Sequence, residues 1–267
     1  MQKLRVALAQ FSSTPSTKTN LGKALNYIKI AAQKSAQLVV FPEYTNIYAE
    51  DKLDSDSLYK IAEYDDSPFL REIKAAAADM HVAAVIGVYE KGKRRPEVYS
   101  TAYFIQPDGK ILAKYSKSHL FEAFGSSETN RLIPSGDRPA IFEFMGFKFG
   151  IIICYEIRFP ELARLTALLG IDALIVPSAW YKGYNKEDQW ETLVKARAME
   201  NTIYILTSNQ IGNSFTGITM AADPAGIIVA RATEEEGLVF AELSKERIKK
   251  VRDSLPLLKQ RRPELYS

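Results

Sequence analysis

Cys154 is the residue of this chain best suited to covalent chemistry. It is the single cysteine among 267 residues, and it ends an apolar run, Phe149–Ile153, that predicts a buried strand. Pro160 and Glu161, just beyond, indicate the start of a helix. A thiol between a strand and a helix N-terminus is favoured as a thiolate, so Cys154 is a candidate nucleophile. A lone cysteine in an apolar strand is more often an inert core residue, so the hypothesis needs catalytic partners.

Histidine is the usual base for a cysteine nucleophile, and the chain has two histidines. His81 lies between a predicted helix and a predicted strand, where a capping or surface role is expected. His119 could form a dyad with Cys154, but nothing else in the sequence supports that pairing. The sequence therefore favours a base of another kind.

A glutamate and a lysine each follow a predicted buried strand. Glu43 comes after Leu38–Phe41, and Lys117 comes after Lys110–Tyr115. Active sites of α/β proteins gather at the carboxyl ends of strands. A glutamate in a dry site can act as general base, and a lysine ammonium can hold an oxyanion, with the N–H of Tyr155 as a second donor. Taken singly, Glu43 could equally be a cap and Lys117 a surface residue.

Strand-like runs alternate with helix-period segments along nearly the whole chain. Ser67 and Pro68 predict a helix N-cap and first turn. The segments 104–113 and 221–230 resemble each other, which hints at two similar halves. We expect two mixed sheets packed face to face with helices outside, in one domain over residues 1–267. The tail from about residue 244 starts helical and either frays or packs on a partner subunit.

Composition excludes several classes of protein. With 46% hydrophobic residues the chain can bury a substantial core. The net charge of +3 and the scattered basic residues, with short clusters at Lys91–Arg95 and Lys259–Arg262, argue against nucleic-acid binding. One cysteine excludes a disulfide framework and a Cys-based zinc site, and it is typical of a reducing cytoplasm. Without a signal peptide or a run of ~18 apolar residues, a soluble cytoplasmic protein is expected, with no membrane partner.

Three segments together resemble the catalytic motifs of the nitrilase superfamily, the carbon–nitrogen hydrolases, in that family's order and spacing: FPEY at Glu43, YSKSHLF at Lys117 and ICYEIRFPE at Cys154. Further similarity covers nearly the whole chain and includes Glu128, Val176–Trp180 and Trp190 with Ala196–Asn201. The resemblance implies a four-layer α-β-β-α sandwich and a Glu–Lys–Cys triad. It implies no cofactor and no metal.

The same resemblance implies a role for each residue. Glu43 would be the general base, Lys117 the oxyanion stabiliser and Cys154 the nucleophile, while Glu128 would position the lysine. Glu128 could also be an ordinary loop residue. The family usually associates through the surface near the helix after the cysteine, so we expect a homodimer or a larger even oligomer.

Substrate-binding residues are expected close to the nucleophile. The candidates are Tyr155, Ser178 and Trp180. Arg158 could bind a substrate carboxylate, or it could form a structural ion pair with a neighbour such as Glu161.

The expected function is a thiol amidohydrolase that releases ammonia from small primary amides, either aliphatic or with a distal carboxylate as in ω-amidases. Nitrilases typically show Trp-Glu-Asn from just after the cysteine, whereas Tyr155-Glu156 stands here and resembles the amidase branches. The alternatives are an N-carbamoyl amine or amino acid hydrolase and a non-catalytic interaction subunit of the same family. The intact triad argues against the interaction subunit.

Overall fold

The computed structural model describes residues 2–49, 53–212 and 214–266. Strands and helices alternate through these ranges. The strands are β1 (Lys3–Gln10), β2 (Leu38–Val40), β3 (Ala83–Lys91), β4 (Val98–Ile105), β5 (Ile111–Ser116), β6 (Glu122–Ala123), β7 (Ser126–Ser127), β8 (Ala140–Phe144), β9 (Phe147–Ile151), β10 (Ala173–Ser178), β11 (Tyr204–Asn209), β12 (Ile211–Gly212), β13 (Phe215–Thr216), β14 (Met220–Ala222), β15 (Ile228–Arg231) and β16 (Gly237–Ser244). The helices are α1 (Thr17–Gln33), α2 (Ser55–Ile61), α3 (Pro68–Met80), α4 (Pro160–Leu168), α5 (Lys186–Asn201) and α6 (Lys245–Ser254).

Local sequence signals explain where α3 begins and ends. The Ser67 side chain accepts a hydrogen bond from the Leu70 N–H, and Pro68 takes the first helical position, as predicted. His81 closes the helix in the left-handed conformation, and its N–H bonds to the carbonyls of the last turn. The predicted capping role of His81 is therefore confirmed.

Two six-stranded mixed sheets form the centre of the molecule. The first sheet has the order β16-β1-β2-β3-β4-β5, and β1, β2 and β3 run parallel. The second sheet has the order β15-β14-β11-β10-β9-β8, and β9, β10 and β11 run parallel. In each sheet the parallel strands lie in the middle and antiparallel strands complete the edges.

Alternating side chains of β1 show how the layers are built. Leu4, Val6 and Leu8 point into a core shared with the second sheet, while Ala7 and Ala9 belong to a core that includes α1 and α3. A strand buried on both faces reads as a continuous apolar run. Helices α4 and α5 pack on the second sheet, where residues such as Trp190 and Val194 join the core. The predicted α-β-β-α sandwich is confirmed.

The two similar segments form matching hairpins. The Gly109 N–H bonds to the carbonyl of Gln106, and the Gly226 N–H bonds to that of Asp223. Both glycines have a positive φ, near 79°, and both hairpins shift register at equivalent positions of β4 and β14. A Cβ on Gly109 would press on α3, and one on Gly226 would press on α5. The repeat thus docks a turn on a helix in each half.

The first part of the tail packs on its own chain. Lys245 pairs with Asp172 at 2.5 Å and Arg247 with Asp223 at 2.6 Å, and Ile248 of α6 is buried. Fraying of this part, one of the two expected outcomes, does not occur. Among the described residues no helix is both long enough and apolar enough to cross a membrane.

Candidate active site

Three charged side chains meet in the interior between the two sheets. The Lys117 ammonium lies 3.0 Å from Glu43 Oε1, and 3.0 and 2.8 Å from the two carboxylate oxygens of Glu128. Glu43 follows β2, Lys117 follows β5 and Glu128 follows β7, and all three are buried. Strand ends therefore bring together residues that lie up to 85 positions apart in the chain.

Neutral donors hold both carboxylates. Ser100 Oγ donates to Glu43 Oε1 at 2.7 Å, and the Ala179 N–H donates to Glu43 Oε2 at 3.2 Å. The Tyr44 hydroxyl and the Phe121 N–H donate to the two oxygens of Glu128, at 2.9 and 2.8 Å. Two bonded carboxylates around one lysine form a rigid network in which no partner can move alone.

Close backbone contact places Glu43. A Cβ on Gly87 of β3 would lie 2.5 Å from the Pro42 carbonyl oxygen and 2.7 Å from Glu43 Cα. The Thr45 N–H also bonds to the Gly87 carbonyl at 2.7 Å. Gly87 therefore lets the segment after β2 lie directly on β3.

Cys154 stands at a sharp turn of the backbone. The strand β9 ends at Ile151, earlier than the predicted Ile153, because Cys154 already opens a 3₁₀ turn, Cys154–Arg158. Its φ of 49° lies in the left-handed region, which non-glycine residues seldom occupy. Such strain clusters at functional sites. The thiol itself is buried, with the side chain 6% exposed.

Burial and neighbouring charges shift the pKa values of these groups. Burial raises the pKa of Glu43, although Lys117 favours its charged form. Burial would lower the pKa of Lys117, but the carboxylates of Glu128 and Glu43 raise it well above its usual value. Burial and the Glu43 charge raise the pKa of the Cys154 thiol well above normal, against the pull of Lys117. These shifts favour a charged lysine and a protonated thiol, so the thiolate expected from the position of Cys154 before a helix is not favoured and the thiol needs a base.

A narrow cleft opens onto Cys154, with a cavity volume of about 10 Å³ that would hold little more than a water molecule. Its wall consists largely of aromatic side chains: Phe121, Tyr155, Trp180 and Tyr181, together with Glu128, Cys154, Ala179 and Lys186. Of the predicted substrate-binding residues, Tyr155 and Trp180 lie on this wall. Ser178 does not: its side chain is fully buried, and its hydroxyl donates to the Val176 carbonyl. The backbone N–H of the next residue, Ala179, donates to Glu43 Oε2 at 3.2 Å.

Two cations flank the Trp180 ring at the cleft. The Arg158 guanidinium lies 4.5 Å from the ring centroid and donates to Gln189 Oε1 at 2.8 Å. The Lys186 ammonium lies 5.4 Å from the same ring and 4.0 Å from the Phe124 ring. Burial lowers the pKa of both groups. Within the described ranges neither has a carboxylate within salt-bridge distance, so the ion pair of Arg158 with Glu161, one of the two alternatives for this residue, does not form.

His119 does not take part in the cluster. Its ring packs on Phe159 at 4.1 Å, and its Nδ1 lies 3.5 Å from Glu156 Oε1. A dyad with Cys154 therefore has no support in the geometry. The part of the chain that the structure describes also holds no group of three or more His, Cys, Asp or Glu side chains arranged to bind a metal ion.

Sequence reasoning missed three contributors to the site. The Ala179 N–H carries no side-chain signal. Lys186 lies at the cleft through tertiary contacts such as the bond from the Trp180 indole N–H to its carbonyl at 3.0 Å. Gly87 was detectable, since a glycine inside a predicted strand indicates a close backbone approach.

Comparison with known proteins agrees with this geometry. The family profile described as carbon-nitrogen hydrolase matches residues 5–253. This chain belongs to the carbon–nitrogen hydrolase family. Among curated relatives of this hydrolase, the deaminated glutathione amidase of Escherichia coli O157:H7 is 32% identical over 96% of this chain and 97% of its own length. The omega-amidase NIT3 of Saccharomyces cerevisiae is 34% identical over 100% of this chain and 96% of its own.

Solved structures place the hydrolase in the nitrilase superfamily. The crystal structure of Saccharomyces cerevisiae Nit3, described as a member of branch 10 of that superfamily, superposes with a TM-score of 0.86 at 32% identity and covers 98% of this chain and 97% of its own. The NitFhit protein of C. elegans superposes with a TM-score of 0.93 at 26% identity and covers all of this chain and 67% of its own. The resemblance read from the three motifs is therefore confirmed.

Proposed function

We propose that this hydrolase is a thiol amidase for short amides that carry a carboxylate at the end remote from the scissile bond. The observation that carries the proposal is the pair of cations that flank the Trp180 ring, Arg158 and Lys186, for which no described residue supplies a carboxylate. Similarity to relatives named omega-amidase and deaminated glutathione amidase supports amide hydrolysis.

The geometry supports a two-step reaction. The Cys154 sulfur bonds to the amide carbon while Glu43 takes the thiol proton, and the carbonyl electron pair moves to the oxygen. Lys117 and the Tyr155 N–H, in the first turn of a helix, would hold this oxyanion. The C–N bond then breaks as Glu43 gives the proton to the departing amine, and a thioester remains.

Water completes the cycle at the same residues. Glu43, ionised again, takes a proton from a water molecule whose oxygen attacks the thioester carbon. The C–S bond breaks, the carboxylic acid leaves and the thiol regains its proton. A raised pKa suits Glu43 to both directions of transfer, because a general base works best when its pKa lies near the working pH. Glu128 would act by fixing Lys117.

Charge at the cleft selects the substrate in this proposal. Lys186 is buried and Arg158 is half-buried, and a charge withdrawn from water without an anion is unfavourable. A carboxylate from the ligand would relieve that cost. The acyl chain of the substrate would lie along the aromatic wall, where the narrowness of the cleft favours a short chain. An uncharged amide would leave both cations unpaired.

Matched substrates test the proposal. Ammonia release is measured with succinamate and with its uncharged methyl ester, for the wild type and for Arg158→Met. We expect a kcat/KM at least about tenfold higher for succinamate, and loss of that preference in the variant, since a charged hydrogen bond is worth roughly 1.5–3 kcal/mol. Equal values for both amides would overturn the carboxylate assignment. Turnover confined to N-carbamoyl compounds, or no turnover by folded protein, would overturn the amidase.

We also propose that residues 1–267 form one domain and that the chain associates as a homodimer or a larger even oligomer. Apolar side chains remain exposed where the tail meets the end of α4, among them Leu169, Leu255 and Leu265. A second copy covering this face would bury them. Light scattering should give a mass that is an even multiple of 30.0 kDa, and the mass of one chain at micromolar concentration would contradict the proposal.

A free thiol at Cys154 is essential to the proposed reaction. We therefore infer that the enzyme works in a reducing compartment, the cytoplasm.

A further inference from the structure

We propose that Glu156 is a positioning residue that fixes the turn bearing Cys154 and the segment bearing Lys117 relative to each other. The proposal rests on the thiol amidase mechanism above. Glu156 does not line the cleft, so it would act through these two neighbours and not on the substrate.

The carboxylate of Glu156 is fully buried and accepts four hydrogen bonds. Its Oε1 receives the Tyr115 hydroxyl at 2.8 Å, the Ser118 N–H at 2.8 Å and the His119 N–H at 3.1 Å. Its Oε2 receives the Ile153 N–H at 2.8 Å. A buried carboxylate needs such donors, because each lost bond leaves part of its charge unpaired.

The four donors to the Glu156 carboxylate lie next to Lys117 or Cys154 in the chain. Tyr115 and Ser118 lie on either side of Lys117, and Ile153 directly precedes Cys154. One side chain thus spans the end of β5 in the first sheet and the end of β9 in the second. The bond to Ile153 alone would be a local cap of the 3₁₀ turn, as glutamates often provide three residues into a helix. The three bonds to the lysine segment serve no such local purpose.

The division of the bonds between the two oxygens makes Glu156→Gln informative. A carboxamide oxygen can keep the three donors of the lysine segment, but its NH₂ group then faces the Ile153 N–H. Two donors repel, so the variant releases the cysteine turn while its volume stays the same. Glu156→Asp keeps the charge but is one methylene too short to span both segments.

The experiment measures kcat and KM with succinamate, and the rate at which iodoacetamide alkylates Cys154, well below the unfolding temperature. For Glu156→Gln we expect kcat and the alkylation rate each to fall on the order of tenfold or more, and KM to change little. The reason is that a small misplacement of a reacting group greatly slows a reaction. Tyr115→Phe removes one donor and should give a smaller loss of both rates. Tyr103→Phe is the control: its hydroxyl bonds Asp65 and Glu90 far from Cys154, and both rates should stay at the wild-type value.

Unchanged rates in folded Glu156→Gln would overturn the proposal and leave Glu156 with a role in stability only. If that variant does not fold, Tyr115→Phe decides, and wild-type kcat and alkylation rates in it would overturn the proposal. Alkylation needs no substrate, so the positioning role is tested even if the wild type hydrolyses no amide, a result that would overturn only the amidase.

Discussion

Two buried lysines stand close to Cys154, and their surroundings are opposite. Lys117 is enclosed by the carboxylates of Glu43 and Glu128, with three contacts of 3.0 Å or less. Lys186 is enclosed by the rings of Phe121, Phe124 and Trp180. The pKa of Lys117 is raised well above normal by its carboxylates, while burial lowers the pKa of Lys186.

The two lysines therefore suit two different functions within one site. A lysine that already has its counter-charges is immobile and can meet a charge that develops only during the reaction. A lysine held by ring faces keeps its charge available for an anion that arrives with the ligand. Changes at the first lysine should therefore appear in kcat, and changes at the second in KM.

Removing the charge of the first lysine should have the largest effect. In Lys117→Met we expect kcat to fall by about 10³-fold or more, because the oxyanion loses its cation and two carboxylates are left unpaired. Glu43→Gln should lose a similar factor. The double variant should be little worse than either, since members of one catalytic unit are not additive. Steady-state rates of ammonia release measure all three, and small effects that multiply would point to surface roles instead.

The glycine beneath Glu43 offers a way to disturb the first lysine without touching any charge. Gly87→Ala should push the Pro42–Glu43 backbone away from β3 and reduce kcat by roughly 100-fold, the cost of a shift of about 1 Å in a catalytic group. Gly22→Ala is the matched control, because nothing lies within 4 Å of its Cβ position in α1. It should keep full activity and raise the free energy of unfolding by about 0.5–1 kcal/mol. Full activity in Gly87→Ala would mean that Glu43 tolerates displacement.

The second lysine should respond in binding. In Lys186→Met the KM for succinamate should rise roughly tenfold, the value of one charged contact, while kcat and the kinetics of the uncharged methyl ester change little. Lys182→Met is the control for a general loss of charge, because this exposed lysine lies in the segment that leads into α5, close to Lys186 in the chain. A fall in kcat with unchanged KM would erase the distinction between the two lysines.

The smallest predicted effect is a shift in the pH dependence of kcat/KM, which depends on the cluster of Glu43, Lys117 and Glu128. Glu43 must be ionised to accept the thiol proton, and its pKa is raised, so kcat/KM should fall on acidification at a pH above the usual carboxyl range. The negative charge of Glu128 contributes to that raised pKa. In Glu128→Gln the fall of kcat/KM on acidification should therefore occur at lower pH than in the wild type, although the rate is reduced at every pH. A fall at the same pH or at a higher pH would contradict the effect of the Glu128 charge on Glu43.

The sequence predicted those parts of the molecule that depend on local patterns. The strands β2 and β5 and the start of the capped helix α3 were located to within one residue. The short pieces α2 and β6–β7 were missed because seven residues or fewer carry no reliable period. The strand before Cys154 was predicted two residues too long, since nothing in an isoleucine run reveals a backbone that turns to positive φ.

Site residues whose side chains belong to a sequence motif were predictable. Backbone groups, and residues that only folding brings to the site, were not. Glu43, Lys117, Cys154 and Glu128 were all identified from the sequence. Ser178 was predicted to bind substrate, but its hydroxyl bonds to the Val176 carbonyl. The next residue, Ala179, reaches Glu43 through its backbone N–H, a group that every residue type but proline has. The partners of Arg158 were left open, since only the folded chain brings Gln189, Trp180 and Lys186 around it.

Both tryptophans of the chain belong to this site. Trp180 forms part of the cleft wall, and its ring centroid lies 4.8 Å from that of Trp190, which is buried behind it. The intrinsic fluorescence of the protein therefore originates beside the place where the substrate enters. A ligand that draws the guanidinium of Arg158 or the ammonium of Lys186 away from the Trp180 indole will alter its emission. The enzyme carries its own optical reporter of occupancy, and an inactive Cys154→Ala variant can be titrated with an amide without any label.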